Sequence, residues 1–316
     1  MSIFSFLLTP EFWFSVLRVA TPVIFATIAA NIAMQAGVFN LAIEGTMLAA
    51  ALAGVLISAY TGSGTFGLLM GLIAGLLIGV VFGWALGFFA LRLNVHIVIS
   101  GIGLNLVAMG GTVFIMYTLL RDKGVTTALV SSTFPSVDLP IFAWIPVVGD
   151  YLTRVFSGHN ILTYLSVLFA IFMWILLYKT PLGLKIRAVG ENSDAAESVG
   201  IKVTRVQFIA LTISGLMSAL GGMFLSMGYL SFFSAGMVAG RGFLSIATDS
   251  MAMSNPVIGL FASLIYGFFD SISSNIAHVS QRFDMIFRLT PYTLIIILYA
   301  IYSFFRKKRN KEEFEF

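Results

Sequence analysis

At 316 residues, with 59% hydrophobic residues, 10% charged residues and a mean hydropathy of +0.98, the chain has well under half the roughly 25% charge of a soluble domain, which excludes a soluble globular class. The formal charge of +4 and pI near 9.3 reflect the Lys and Arg that membrane proteins keep in cytoplasmic loops, so nucleic acid is excluded as a partner and the lipid bilayer is the expected solvent. There is no cysteine, which excludes disulfides and thiolate metal sites.

About 20 apolar residues cross the hydrocarbon core, and the apolar runs predict nine segments: 12–33, 41–60, 66–91, 95–119, 161–178, 207–228, 236–254, 256–275 and 289–305. All belong to a single transmembrane domain, residues 1–316, with an external loop at 120–160, an inside loop at 179–206 and a basic tail at 306–316. The N-terminus lacks a basic stretch followed by a short apolar run and a small-residue cleavage site, which predicts no removable signal.

The first segment runs into a cluster of Asn31, Gln35, Gly37, Asn40, Glu44 and Gly45, a poor continuous span. Polar groups and glycines at this depth predict a broken helix whose exposed backbone faces protein or water. Segment 66–91 carries Gly67, Gly71, Gly75, Gly79, Gly83 and Gly87 at unbroken four-residue intervals. Four residues advance about 400°, so the stripe winds around the helix and predicts close packing against more than one neighbour. In the inside loop, Asn192 or Ser193 caps a short helix, Asp194 and Glu197 suit its first turns, Ala195, Ala196 and Val199 form its apolar face, and Gly200 ends it. Further on, Gly236, Gly240, Arg241, Gly242 and Asp249 predict a second broken stretch, which overlays on the first with Glu44-Gly45 against Arg241-Gly242.

Orientation follows from the basic residues. The tail residues Arg306, Lys307, Lys308, Arg309 and Lys311 belong inside, and alternate crossings place Arg92 and Lys179, Lys185, Arg187, Lys202 and Arg205 there too. The outside then holds Arg121, Lys123, Arg154, Arg282 and Arg288, and the N-terminus is outside.

Catalysis has little support. The chain has no Gly-x-x-x-x-Gly-Lys-Ser/Thr loop to grip nucleotide phosphates. His96, His159 and His278 are widely separated and read as interfacial or loop residues, and Gly215 and Ser218 form no nucleophile elbow. No enzyme activity, metal site or cofactor is expected in this chain.

Thr180-Pro-Leu-Gly, Arg187-Ala-Val-Gly-Glu-Asn, Ala195-Ala196, Gly200-Ile201, Ser214-Gly215 and Ala219-Leu-Gly-Gly resemble the coupling loop and following helix of permease subunits in ATP-binding cassette importers for simple sugars, nucleosides and branched-chain amino acids. Gly37-Val-Phe-Asn-Leu-Ala-Ile-Glu-Gly-Thr-Met-Leu is similar to the first broken helix of the nucleoside and simple-sugar permeases. The resemblance covers nearly the whole chain. The run from Gly37 to Ala42 departs from the Gly-Ile-Asp-Leu-Ser of ribose-type members, which counts against ribose; nucleosides lead as the expected solute, followed by simple sugars and then branched-chain amino acids, and an ion-coupled carrier is the more distant alternative.

What the resemblance implies is an all-α polytopic bundle of about nine spans with two broken or half helices and a cytoplasmic coupling helix, in a bacterial plasma membrane. It implies a second homologous permease subunit, a cytoplasmic ATPase that binds ATP and magnesium, an extracytoplasmic substrate-binding lipoprotein and a small neutral solute as partners. Coupling to the ATPase is expected from Gly190, Glu191, Asn192, Asp194, Ala195, Ala196, Gly200 and Ile201. For the solute pathway, the candidates are Asn31, Gln35, Phe39, Asn40, Glu44, Asn105 and Arg241, because amides offer donors and acceptors without a counter-charge. Phe232 and Phe233 are further candidates for stacking a base. Glu44 and Arg241 are expected to pair or to face water, while Arg18, Asp249 and Asp270 are expected to snorkel or cap helices.

Overall fold

The computed structural model describes residues 5–62, 64–127, 129, 131–139 and 149–279. The expected span at 289–305, the basic tail, Arg282 and Arg288 lie outside the described residues.

The chain folds as a helical bundle. A 26-residue helix, α1 (Pro10–Gln35), stands at its centre, apolar and buried on nearly every side, as a helix without a polar face must be. Pro10 at its start uses a position where a missing N–H costs nothing. After a turn at 36–42 come α2 (Ile43–Thr61), α3 (Thr65–Gly87, prolonged by a π-helical turn at Phe88–Arg92) and α4 (Ile97–Leu120). The short strands β1 (Ser136–Val137) and β2 (His159–Asn160) pair antiparallel around α5 (Gly149–Phe156). The chain then continues through α6 (Ile161–Lys179), α7 (Pro181–Glu191), α8 (Ser193–Ser198), α9 (Val203–Met223, prolonged by a π-helical turn at Phe224–Tyr229), α10 (Arg241–Met251) and α11 (Pro256–Val279).

Among the described residues, seven helices are long and apolar enough to cross a membrane, and they coincide within a few residues with seven of the expected segments. The segment expected at 236–254 is different. Only Arg241–Met251 is helical, 11 residues or about 16 Å, too short to span. Positive φ at Gly236, Ala239 and Gly240 keeps the approach to it irregular. The inside loop also holds more helix than the short one expected there: Thr180 accepts the Gly183 amide at 3.2 Å and Pro181 takes the first position of α7, a cap followed by proline that starts a helix well before Asn192.

Side-chain contacts sort the elements into two ends. At one end, Gln35 donates to the Ser254 carbonyl (2.6 Å), Gly37 lies against Gly190, and Gln207 donates to the Ala36 carbonyl (3.4 Å). At the other, Phe12 meets Phe268 edge-on, Asn160 donates to the carbonyls of Phe134 and Gly228, and Thr126 pairs with Phe233. The glycine stripe of α3 docks two neighbours, as expected. Gly71 faces the Gly54 carbonyl of α2, Gly79 and Gly83 face the carbonyls of Gly215 and Leu211 on α9, and Gly87 faces Phe208. With no hydrophobic drive between helices in lipid, this backbone-to-backbone approach is what joins α3 to the bundle.

Candidate functional site

Two helix starts meet at the broken segments. The turn at 36–42 climbs back along α1, so that Asn40 donates to Ser214 Oγ (2.8 Å), which in turn donates to the Ala29 carbonyl (2.7 Å). Asn40 Oδ1 also accepts the Ala42 amide at 2.9 Å, fixing the entry to α2. Asn105 of α4 completes the support, accepting from the Gly45 amide and donating to the Leu41 carbonyl, both at 2.8 Å. Thus α2 begins inside the bundle with its orphan backbone groups satisfied by buried amides, the condition for a helix start away from water.

Opposite it stands the start of α10. The Glu44 carboxylate accepts from the Gly240 amide at 2.8 Å and the Gly242 amide at 2.7 Å. Placing a carboxylate on free N–H groups at a helix start gives charge-assisted hydrogen bonds and the favourable end of the helix dipole. Glycine at 242 is required for the approach, since a methyl there would lie 2.5 Å from the Glu44 nitrogen and 2.6 Å from its Cα. In the last turn of α10, Asp249 accepts from Asn31 (3.0 Å) and from Ser254 Oγ (3.1 Å).

These positions correct several expectations. Glu44 is hydrogen-bonded by backbone amides at the start of α10 rather than by the Arg241 guanidinium, which donates to the carbonyls of Met237 and Val238 at 3.2 Å each and, as the other arm of the expectation has it, lines a cavity. Asp249 does not snorkel: it is buried and paired with α1. Asn31, Asn40 and Asn105 are internal struts, each buried and hydrogen-bonded across elements. Gln35 sits at the α7 end of the bundle, Phe39 and Phe232 are half-buried, and Phe233 is fully buried, with its backbone paired to Thr126.

Of the pathway candidates, Arg241 lines a large cavity. It does so with two residues expected to snorkel or cap helices, Arg18 and Asp270, and with Tyr229, over whose ring Arg18 lies at 4.7 Å. An arginine two turns inside an apolar helix is the sequence signal for Arg18.

The loop at the α7 end carries α8. Asn192 caps it by accepting the Ala195 amide (3.0 Å), and Gly200 ends it at φ +86°. Asp194, Ala195, Glu197 and Val199 are exposed, whereas Ala196 is buried and its carbonyl accepts the Ile201 amide at 3.0 Å. The expected apolar face is therefore split: Ala196 seats the helix and Val199, 76% exposed, projects from it. Next to this knob, α7 is in direct contact with the end of α1 and the turn that follows it. A methyl on Gly190 would lie 2.8 Å from the Gln35 carbonyl carbon and 3.0 Å from the Gly37 nitrogen.

The chain was compared with known proteins. The family described as "Branched-chain amino acid transport system / permease component" matches residues 12–299. The chain belongs to this family of permease components, and it is a multi-pass membrane protein. Among curated proteins, it is 28% identical to the nucleoside ABC transporter permease protein NupC of Lactococcus lactis over 90% of this chain and 89% of that one. It is 29% identical to the guanosine ABC transporter permease protein NupQ of Bacillus subtilis, over 80% and 79% of the two chains. A second Bacillus subtilis protein, the guanosine ABC transporter permease protein NupP, is 28% identical over 79% of this chain and 70% of that one.

Proposed function

We propose that this chain is a permease subunit of an ATP-driven importer for nucleosides, with its α7–α8 end in the cytoplasm and its N-terminus outside. The observation that carries the mechanism is the abutment of Gly190 on Gln35 and Gly37. A force applied to the exposed knob of α8 reaches the end of α1, and from there the paired helix starts, without passing through a flexible linker. ATP and magnesium belong to a separate cytoplasmic ATPase that seats α8, and a lipoprotein delivers solute at the outer end.

Nucleosides are favoured because the relatives quoted above are named for nucleosides or guanosine and span most of the chain. A second, different permease as partner is supported by NupQ and NupP, two guanosine permeases of one organism that this chain resembles to a similar degree. The orientation is supported by the basic residues: Arg92, Lys179, Lys185, Arg187, Lys202 and Arg205 fall at or near the α7–α8 end, against Arg121, Lys123 and Arg154 at the other among the described residues. An ion-coupled carrier is disfavoured, since Glu44 and Asp249, the carboxylates it would load, are both engaged in hydrogen bonds.

The test is uptake of labelled uridine or adenosine, with ribose and leucine as competitors, in cells with and without this subunit. Unlabelled nucleosides are expected to compete and ribose and leucine to fail; competition by ribose alone overturns the substrate assignment. In the same cells Val199→Asp, on the exposed tip of the knob, is expected to lower maximal uptake at least about tenfold at unchanged membrane abundance, since a carboxylate in a desolvated contact costs several kcal/mol. Normal uptake by this variant overturns the coupling assignment.

A further inference from the structure

The cavity that contains Arg241 has properties that the meeting of the helix starts lacks. It encloses about 500 Å³ between α1, the π turn of α9 and α11, a volume typical of small-molecule sites. Thr9 and Glu11 mark its outer rim, and Pro22 and Arg241 lie at its depth. Thirteen residues of α1 separate the two levels, about 20 Å at 1.5 Å per residue. At that depth Arg241 brings into the lining the start of α10, whose flanking amides, at Gly240 and Gly242, are held by Glu44.

Among the described residues its walls carry four charged side chains, Glu11, Arg18, Arg241 and Asp270. Two of these are acidic and two basic, so together they present strong hydrogen-bonding groups without a net demand for charge. The guanidinium Nε atoms of both Arg18 and Arg241 are buried and have no hydrogen-bond partner. Buried donors of this kind are rare and costly unless something fills them. Beside them are aromatic surfaces: the ring of Tyr229, half exposed and carrying the Arg18 guanidinium, and that of Phe224.

We infer that this cavity is the solute-binding site of the chain, and that it takes a neutral solute combining hydroxyl groups with a flat aromatic base. Arg18, Arg241 and Asp270 serve the polar atoms and Tyr229 stacks the base. The inference rests on the nucleoside reading above and deepens it by moving the solute contacts from the buried amides to this charged cavity. Asn40 and Asn105 hold the start of α2 with both ends of their amides, whereas Arg18 and Arg241 each keep an unpartnered Nε. A solute seated here lies directly on the segment held by Glu44, where displacement of α1 and α10 would release it inward.

The experiment measures concentration-dependent uridine uptake by the complete transporter in cells. Asp270→Asn and Arg241→Gln are expected to raise KM about tenfold, the effect of losing one hydrogen bond to a charged group, with maximal rate kept within about twofold. Ser15→Trp, which fills the same cavity from a half-buried position on α1 and leaves the charges alone, is expected to abolish uptake at normal membrane abundance. Val199→Asp provides the contrast, lowering maximal rate at unchanged KM. An unchanged KM in both charge variants, or normal uptake with Ser15→Trp, overturns the site. Should the intact transporter import ribose and no nucleoside, the nucleoside reading fails separately, and the same KM series run with ribose still decides whether the cavity binds the solute.

Discussion

Glu44, in the first turn of α2, holds the first turn of α10 through two backbone amides, at 2.8 Å to Gly240 and 2.7 Å to Gly242. One carboxylate thus serves two helix starts that are 196 residues apart in the chain. Neither amide has an alternative acceptor of its own helix, because the first turn of a helix leaves its N–H groups free.

Replacing Glu44 tests the strength of this clasp. Glu44→Gln keeps one acceptor but turns an NH₂ group toward the other amide, leaving a buried donor unsatisfied at a cost of about 1–3 kcal/mol. Glu44→Ala leaves both. Thermal unfolding of the purified complex should rank native above Gln above Ala, and equal melting of the Gln variant would remove the clasp from the account.

The glycine stripe allows a paired comparison. Gly79 of α3 faces the Gly215 carbonyl of α9, whereas a methyl group on Gly110 of α4 would have nothing of the described chain within 4 Å. Gly79→Leu should lower stability by at least about 2 kcal/mol, because backbone cannot yield as a side chain does. Gly110→Ala should leave the melting temperature unchanged or raise it slightly, since alanine is the better helix former by about 1 kcal/mol. Equal losses in both would mean that helix contact is not what the stripe provides.

Acid should weaken the end of the bundle opposite α7 and α8 through His159. The ring stacks on Phe14 at 3.9 Å, its Nε2 is 2.8 Å from the Val155 carbonyl oxygen, and burial, with the Arg18 charge adding to it, pushes its pKa below 6.5. The unfolded chain, with an ordinary histidine, binds the proton first, so stability is full above about pH 6.5 and declines as pH falls below it. Melting temperatures measured between about pH 7.5 and 5.5, either side of that ordinary value, should show this decline, and His159→Gln should flatten it; an identical slope in the variant would assign the acid sensitivity elsewhere.

Much of the bundle is legible in sequence because each span is a long apolar run bounded by Gly, Pro or charge, as with Thr65–Arg92 and Ile161–Lys179. The stripe from Gly67 to Gly87 can be read even to its use, since a four-residue period on a helix specifies which residues share a winding face. The breaks can also be located, from Asn40, Glu44, Gly240 and Gly242. What composition does not provide is the partner of each polar group. Glu44 and Arg241 look complementary as letters, yet a helix start offers two amides closer than any guanidinium, and the carboxylate takes them. Likewise Asn31, Asn40 and Asn105 present the same chemistry to a backbone carbonyl, a carboxylate or a solute, and only the tertiary positions of Asp249, Ser214 and Leu41 decide among these. Arg18 and Asp270 depart from expectation for the converse reason: distance from a span's end does not measure distance from water, because a cavity brings polar space into the bundle.

Gly190 has a mechanical consequence. Because no side chain stands between it and Gln35, the junction has nothing compressible in it, and a rocking of α7 cannot be absorbed by a rotamer change before α1 responds. Any residue with a Cβ at that position would wedge α7 away from α1. On the coupling route proposed above, such a wedge acts as a permanent shim that holds the lever partly thrown whether or not fuel is present, so the smallest amino acid there would set the resting position of the whole transmission.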